Sequence, residues 1–168
     1  MYPARGVKLS SKTDFIQNMK ESNANFVRFS SDASVFISHR ALTAAFRVGA
    51  ATNVGDHYEF YQANTLGGST NLRGFGRSRF AGKTSLYQNT ELRYKFNSVN
   101  GYFLRGNWGL LAFFDKGRVW MPEENSNTWH YGYGGGTWFL PYNKLAFSAT
   151  YGTSKEGGLI SIKTGFFF

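Results

Sequence analysis

The stretch Leu66-Gly67-Gly68-Ser69-Thr70-Asn71-Leu72-Arg73-Gly74-Phe75 sets one arginine on a glycine-rich loop. It is followed by Arg79-Phe80-Ala81-Gly82 and then by two strand-like segments that each carry one carboxylate. These are Asn89-Thr90-Glu91-Leu92-Arg93 and Phe113-Phe114-Asp115-Lys116-Gly117-Arg118-Val119-Trp120. In the first, Thr90, Leu92, Tyr94 and Phe96 alternate with Asn89, Glu91, Arg93 and Lys95. In the second, Trp108, Leu110, Ala112 and Phe114 alternate with Gly109, Phe113, Asp115 and Gly117. A period of two belongs to strands, so Glu91 and Asp115 fall on the less apolar faces of two strands. Paired carboxylates removed from water need a cation. The residues alone offer Arg73, whose fork can bond two oxygens at once, or Arg93 and Lys95, with Arg73 left solvated. Glycines at 67, 68, 74 and 76 would let the loop turn sharply and approach a wall closely.

Working outward, the same period runs along the chain. Val27, Phe29, Ser31, Ala33, Val35 and Ile37 oppose Arg28, Ser30, Asp32 and Ser34. Leu42, Ala44, Phe46, Val48 and Ala50 repeat the pattern against Thr43 and Arg47, as do Leu145, Phe147, Ala149 and Tyr151 against Ala146, Ser148 and Thr150. The end of the chain places Ile160, Ile162, Thr164, Phe166 and Phe168 on one face. Eight strands are expected, at roughly 3–15, 24–39, 41–54, 83–97, 102–120, 129–140, 144–154 and 157–168. Only Asp14 to Lys20 offers a weak helical alternative, and it reads better as loop. The links at His39-Arg40 and Pro141-Tyr142-Asn143 are short, whereas 55–82 and 121–128 are long. Strands of about ten residues with alternating short and long links describe an up-and-down antiparallel barrel that crosses a membrane. An even count puts both termini on one side. Tyr2, Tyr61, Trp120, Trp129, Trp138 and Tyr142 fall near strand ends, where aromatic girdles sit.

Composition agrees with that class. Charged residues make up 17% of the 168, against about 25% in soluble domains, while aromatics reach 18% and glycines number 20. No apolar run is long enough for a transmembrane helix. The absence of cysteine excludes a disulfide scaffold, a cysteine-zinc site and thiolate catalysis. Met1-Tyr2-Pro3-Ala4-Arg5-Gly6 has no basic and apolar leader character, so the sequence reads as mature protein behind an initiating methionine or as a piece of something longer. The net charge of +9 is spread over single strand positions such as Arg28, Arg47, Arg93 and Lys95 and around one loop at Arg73, Arg77, Arg79 and Lys83. That distribution argues against nucleic acid and for a polar lumen or lipopolysaccharide phosphates at a rim.

Together these blocks resemble the BamA/TamA/FhaC superfamily of outer-membrane barrels, over the C-terminal half of its barrel. The resemblance implies that the Arg73-Gly74-Phe75 loop folds into the barrel, that Asp115 is the main partner of Arg73 and that Glu91 is a second acceptor. It also implies a Gram-negative outer-membrane location, outer-membrane lipid and lipopolysaccharide as surroundings, and the barrel assembly machinery as a partner. Phe166 and Phe168 look like the terminal aromatic signal read by that machinery, although the glycine usual five residues before the end is here Lys163 and the nearest glycine is Gly165. Family barrels have sixteen strands, and an eight-strand barrel has room only for side chains. The first expectation is nevertheless one chain closing alone, with Gly132, Gly134 and Gly136 relieving a narrow lumen. The others are a homodimer of two halves and a piece of a longer protein. The expected domain is a single barrel over 1–168 with no periplasmic substrate-binding domain.

Catalysis is not expected. His39, His57 and His130 lack metal-ligand spacing, no nucleophile elbow occurs, and the adjacent Ser38-His39 pair would face opposite sides of a strand. Gly132-Tyr133-Gly134-Gly135-Gly136 is followed by no helix, so it is not a dinucleotide loop. No cofactor or metal is expected. The functional expectation is a short outer-membrane barrel acting in protein or lipid assembly, with strand 3–15, rich in glycine and serine, forming a weak seam. The alternatives are the anchor of a larger protein, such as a patatin-like phospholipase, and a passive lipopolysaccharide-binding barrel.

Overall fold

In Leu42–Val54 the residues Thr43, Ala45, Gly49 and Asn53 are buried while Leu42, Ala44, Phe46 and Val48 point outward. This two-residue period organises the whole computed structural model, which describes residues 5–17, 25–55, 59–96, 98–100, 105–121, 127–142 and 144–166. In chain order the strands are β1 (Gly6–Ile16), β2 (Phe26–His39), β3 (Leu42–Val54), β4 (Asn64–Leu66), β5 (Phe80–Gly82), β6 (Thr84–Lys95), β7 (Val99–Asn100), β8 (Arg105–Trp120), β9 (His130–Pro141), β10 (Phe147–Ser154) and β11 (Gly157–Thr164), with one 3-10 turn at Phe60–Gln62.

The eight long strands are the expected ones. The alternation predicted neither the β4–β5 hairpin inside the long link nor β7, a two-residue addition beside β8. Asp14, Phe15 and Ile16 are not loop, because they pair with Arg28, Val27 and Phe26 as the end of β1. The last strand stops at Thr164 rather than running to the chain end.

The long strands pair antiparallel in the order β1-β2-β3-β6-β8-β9-β10-β11. Among the described residues β1 pairs only with β2 and β11 only with β10, so the sheet is open. Closure of the eight strands on themselves is therefore not seen among the described residues. The sheet is nonetheless strongly curved. Arg47 on β3 donates to the carbonyl of Thr70 at 3.3 Å, and Lys163 on β11 donates to that of Ser69 at 3.2 Å. In a flat sheet β3 and β11 would lie about 24 Å apart, at about 4.8 Å per strand. Two side chains can converge on neighbouring loop residues only if the sheet bends into a trough around them.

The trough has two characters. Its β8–β10 side carries an apolar cluster of Leu111, Phe113, Trp138, Leu140 and Ala146, with Phe166 packed against it. The middle of its β1–β3 side is polar, with Lys8, Ser10 and Lys12 exposed and Arg28, Ser30 and Asp32 half-buried, while Phe26 and Phe36 are buried toward the two ends of β2. The convex face is apolar and exposed, from Val35, Ile37, Phe46 and Leu92 to Leu110, Phe114, Tyr133 and Phe147. Trp138 leaves the expected girdle, since its side chain faces the trough and is buried. Tyr61 lies on the 3-10 turn of the loop, and Tyr2 falls outside the described residues.

Candidate functional site

The loop between β3 and β6 is built to present one side chain. The β4–β5 hairpin forms its stem. At the tip, the Gly68 amide donates to the Phe75 carbonyl at 3.0 Å, and Asn71 braces the turn by accepting from the Gly67 amide at 2.9 Å and donating to the Thr65 carbonyl at 2.9 Å. Leu66, Leu72 and Phe75 are buried together, with Phe80, Tyr87 and Val119 packed against them. Side chains at 72 and 75 thus anchor the tip to the wall, and Arg73 between them is driven inward. Gly74 has φ +88°, and a Cβ there would sit 2.8 Å from the Thr153 carbonyl oxygen. Only glycine meets both demands.

Arg73 reaches Asp115 on β8 with Nε at 2.7 Å and Nη2 at 2.8 Å, and its backbone amide donates to the same carboxylate at 3.0 Å. Its Nη1 donates to Glu91 on β6 at 2.5 Å. The other oxygen of Glu91 accepts from Arg93 Nε at 2.6 Å. Asn89 pairs with Asp115 across the β6–β8 ladder and donates to the Asn71 carbonyl at 2.8 Å. All four charged groups are buried, none more than 3% exposed. Two cations and two anions make a neutral quartet, the condition under which buried charge is tolerated. The Arg73 guanidinium also lies over Phe113, 3.6 Å from the ring centroid, a cation–π contact that favours the planar guanidinium over an ammonium.

Gly132 of β9 receives this loop. A Cβ on Gly132 would overlap the Arg73 carbonyl, and one on Gly134 would meet the Phe113 ring and the backbone of β10. The absent side chain of Gly132 makes room for the folded loop, and that of Gly134 for close approach of β10 and the Phe113 ring. Ser154 donates to the Gly74 carbonyl at 2.6 Å, and His130 stacks on Phe80 with centroids 3.6 Å apart. At the loop's outer side Arg79 donates to Glu156, in the β10–β11 turn, at 2.8 Å. That bond and the carboxylate's charge raise the Arg79 pKa above its ordinary value.

Phe166 is placed differently from the sequence expectation. Gly165 has φ +102°, its amide donates to the Ala146 carbonyl at 2.6 Å, and the alternation of β11 is broken there. Phe166 consequently leaves the outward parity of Ile160 and Ile162 and turns into the trough. It packs edge-on against Trp138 and stacks over the Arg93 guanidinium at 4.1 Å. Phe168 lies outside the described residues.

An arginine presented by a glycine-rich loop to the inward carboxylates of two neighbouring strands is the geometry that the sequence blocks suggested. The family model of the Omp85 superfamily domain matches residues 1–168, the whole chain. The chain belongs to the Omp85 superfamily. A comparison with curated proteins finds no match. The superfamily is one of outer-membrane assembly and translocation in Gram-negative bacteria, and its members are in general not enzymes.

Within this Omp85 domain the structure brings Arg73, Gly74, Phe75, Glu91 and Asp115 into one site, with Phe166 at its border. Sequence reasoning treated Arg93 as a rival of Arg73 for Glu91, whereas Glu91 divides its two oxygens between them. It quoted Asn89 within the motif and weighed His130 only as a metal ligand, gave neither a contact with the loop, and did not single out Ser154. Their inward parity was visible, but polar residues on an inner strand face carry no mark of which loop atom they meet.

Proposed function

We propose that this chain forms part of the membrane-embedded wall of an outer-membrane protein-assembly device, with β1 as the strand that receives a client. The observation that carries this reading is β1, eleven residues long, which among the described residues pairs with β2 alone. Such an edge templates a further strand through main-chain hydrogen bonds. Gly6, Ser10 and Ser11 make its own pairing weak, so a resident neighbour can be displaced. The loop clamp holds the β6–β10 wall rigid on the far side of the trough, which confines opening to the β1 edge. The convex face suits lipid. Along β8 the outward residues pass from Leu110, Ala112 and Phe114 to Lys116 and Arg118 beside Trp120 and Trp129. An apolar band ending in cations and tryptophans suits an interface bearing lipopolysaccharide phosphates.

A second reading has its own observation. The neutral, fully buried quartet is a static lock, which suits the anchor of a larger protein as well as it suits a machine. Vesicles of outer-membrane lipid with and without the chain separate the two. A urea-unfolded eight-strand client is added, and its folding is followed by the heat-sensitive shift of its band on a gel. Several-fold faster folding, with a Leu9→Cys variant forming a disulfide to a cysteine in the client's terminal strand, is the assembly result. Unchanged folding without capture overturns it and leaves the anchor.

A further inference from the structure

We propose that the short-turn end of the sheet binds a glycerophospholipid with an anionic headgroup, its phosphate held by Arg105 and Lys144 and its acyl chains laid on the apolar face beside them. The inference rests on the reading of the sheet as membrane-embedded and goes beyond it by naming a lipid and the place that holds it.

The charges of this chain are segregated along its strands. No acidic residue occurs between Asp32 and Asp56, between Glu91 and Asp115, or between Glu124 and Glu156. Each of these stretches contains one link at the same end of the sheet, namely the β2–β3 turn, the β6–β8 link and the β9–β10 turn. At or beside those links stand Arg40, Lys95, Arg105 and Lys144. At the opposite end cations have acids beside them: Arg79 pairs with Glu156 at 2.8 Å and Lys12 with Asp14 at 2.8 Å. A rim that carries cations and no acid concentrates anions.

Two of these cations share a cleft. Arg105, Pro141, Tyr142, Lys144, Leu145 and Phe147 line an open recess of about 600 Å³. The backbone fixes its frame. The Tyr142 amide donates to the Arg105 carbonyl at 2.7 Å, and the Lys144 amide donates to the Pro141 carbonyl at 3.1 Å. Arg105 and Lys144 are both exposed and so accessible to a ligand at the mouth. A guanidinium fork and an ammonium both suit phosphate, the first as a bidentate donor and the second as a point charge. With no acid nearby, nothing is there to receive the cationic part of a zwitterionic headgroup. A headgroup of net negative charge is therefore favoured.

The floor of the cleft selects a lipid over a soluble anion. Leu145 and Phe147 are 50% and 41% exposed on the convex face. Phe147 lies across the ladder from Phe139, and Phe139 from Trp108. Trp108 packs on Phe96 with centroids 4.4 Å apart, and Phe96 packs edge-on against Tyr94. An aromatic band directly inside a basic rim is the arrangement that meets a headgroup layer. Acyl chains would cover the bare leucine and phenylalanine, which a soluble acidic peptide would leave wet. The short turns of outer-membrane barrels face the periplasm, which places this lipid in the periplasmic leaflet.

The test uses the whole chain folded in detergent micelles, its folding confirmed by heat-sensitive mobility on a gel. Phosphatidylglycerol and phosphatidylcholine are titrated separately, and lipid-bound protein is counted by native mass spectrometry. The inference expects tighter binding of phosphatidylglycerol, weakened about fivefold by each of Arg105→Gln and Lys144→Gln. Removing the same charge at the opposite end, with Arg77→Gln and Lys155→Gln together, should leave that affinity unchanged. Equal binding of the two lipids overturns the inference, as does wild-type affinity in the combined Arg105→Gln and Lys144→Gln chain. Displacement of the lipid by inorganic phosphate would make this a free-anion site, and displacement by a hexaglutamate peptide a dock for an acidic protein. Either result overturns the lipid assignment. A chain that inserts into vesicles without lipid preference overturns the inference alone, whereas one that never inserts removes the membrane reading as well.

Discussion

Asp115 accepts three hydrogen bonds from one residue: Arg73 gives it a backbone amide at 3.0 Å, Nε at 2.7 Å and Nη2 at 2.8 Å. The side-chain pair fixes the guanidinium plane, and the amide fixes the path of the loop. Loop position and charge compensation are thereby a single interaction, and Glu91 extends it through Arg93 toward Phe166.

Arg73→Ala should cost about 3–5 kcal/mol, the usual loss when one partner of a buried ion pair is removed. Two carboxylates would stay behind with Arg93 as their remaining cation. Urea unfolding in detergent micelles reads the loss. Arg73→Lys should recover only part of it, because an ammonium cannot fork onto Asp115 and is the poorer partner for the Phe113 ring.

Two neighbouring glycines on β9 should behave differently. Gly132→Ala drives a methyl group into the Arg73 carbonyl, whereas a Cβ on Gly135 meets only the Leu111 carbonyl oxygen, at 3.1 Å. The first should undock the loop and lower the midpoint of thermal unfolding clearly. The second should shift it little. Equal shifts would mean that loop packing does not set the requirement at 132.

Phe75→Ala removes a buried ring from the cluster of Leu66 and Leu72. A loss of about 3–5 kcal/mol is expected, together with faster proteolysis of the loop. Stability within 1 kcal/mol of wild type, by the same urea titration, would show that the tip is not anchored by its apolar residues.

Phe166 and Ile162 should report opposite surroundings. In lipid vesicles a fluorophore on Ile162→Cys should be strongly quenched by brominated acyl chains, and one on Phe166→Cys should not. Equal quenching would put Phe166 back on the lipid side and sever its contact with Arg93.

The long strands were legible because each repeats a two-residue period over eight or more residues, and that parity also marks which side Glu91 and Asp115 face. The strands β4 and β5 have three residues each, too few for a period to register. They form because Leu66 and Phe75 are buried with the wall, a tertiary cause. Phe166 misled the reading because it continues the apolar spacing of Ile160 and Ile162, while the left-handed backbone of Gly165 cancels the next alternation. The open sheet was illegible for a different reason: a strand pattern counts strands but does not say whether the first meets the last. Whether they meet depends on how the whole sheet curves, which is a property of the fold.

The central claim is that the clamp holds the loop in the trough, and trypsin tests it most directly. Arg73 is buried, whereas Arg77 and Arg79 on the same loop are exposed. In folded wild-type protein, mass spectrometry of the fragments should find cleavage after Arg77 and Arg79 and none after Arg73. Asp115→Ala should open the Arg73 site. Cleavage after Arg73 in wild type, as fast as in Asp115→Ala, would contradict the account.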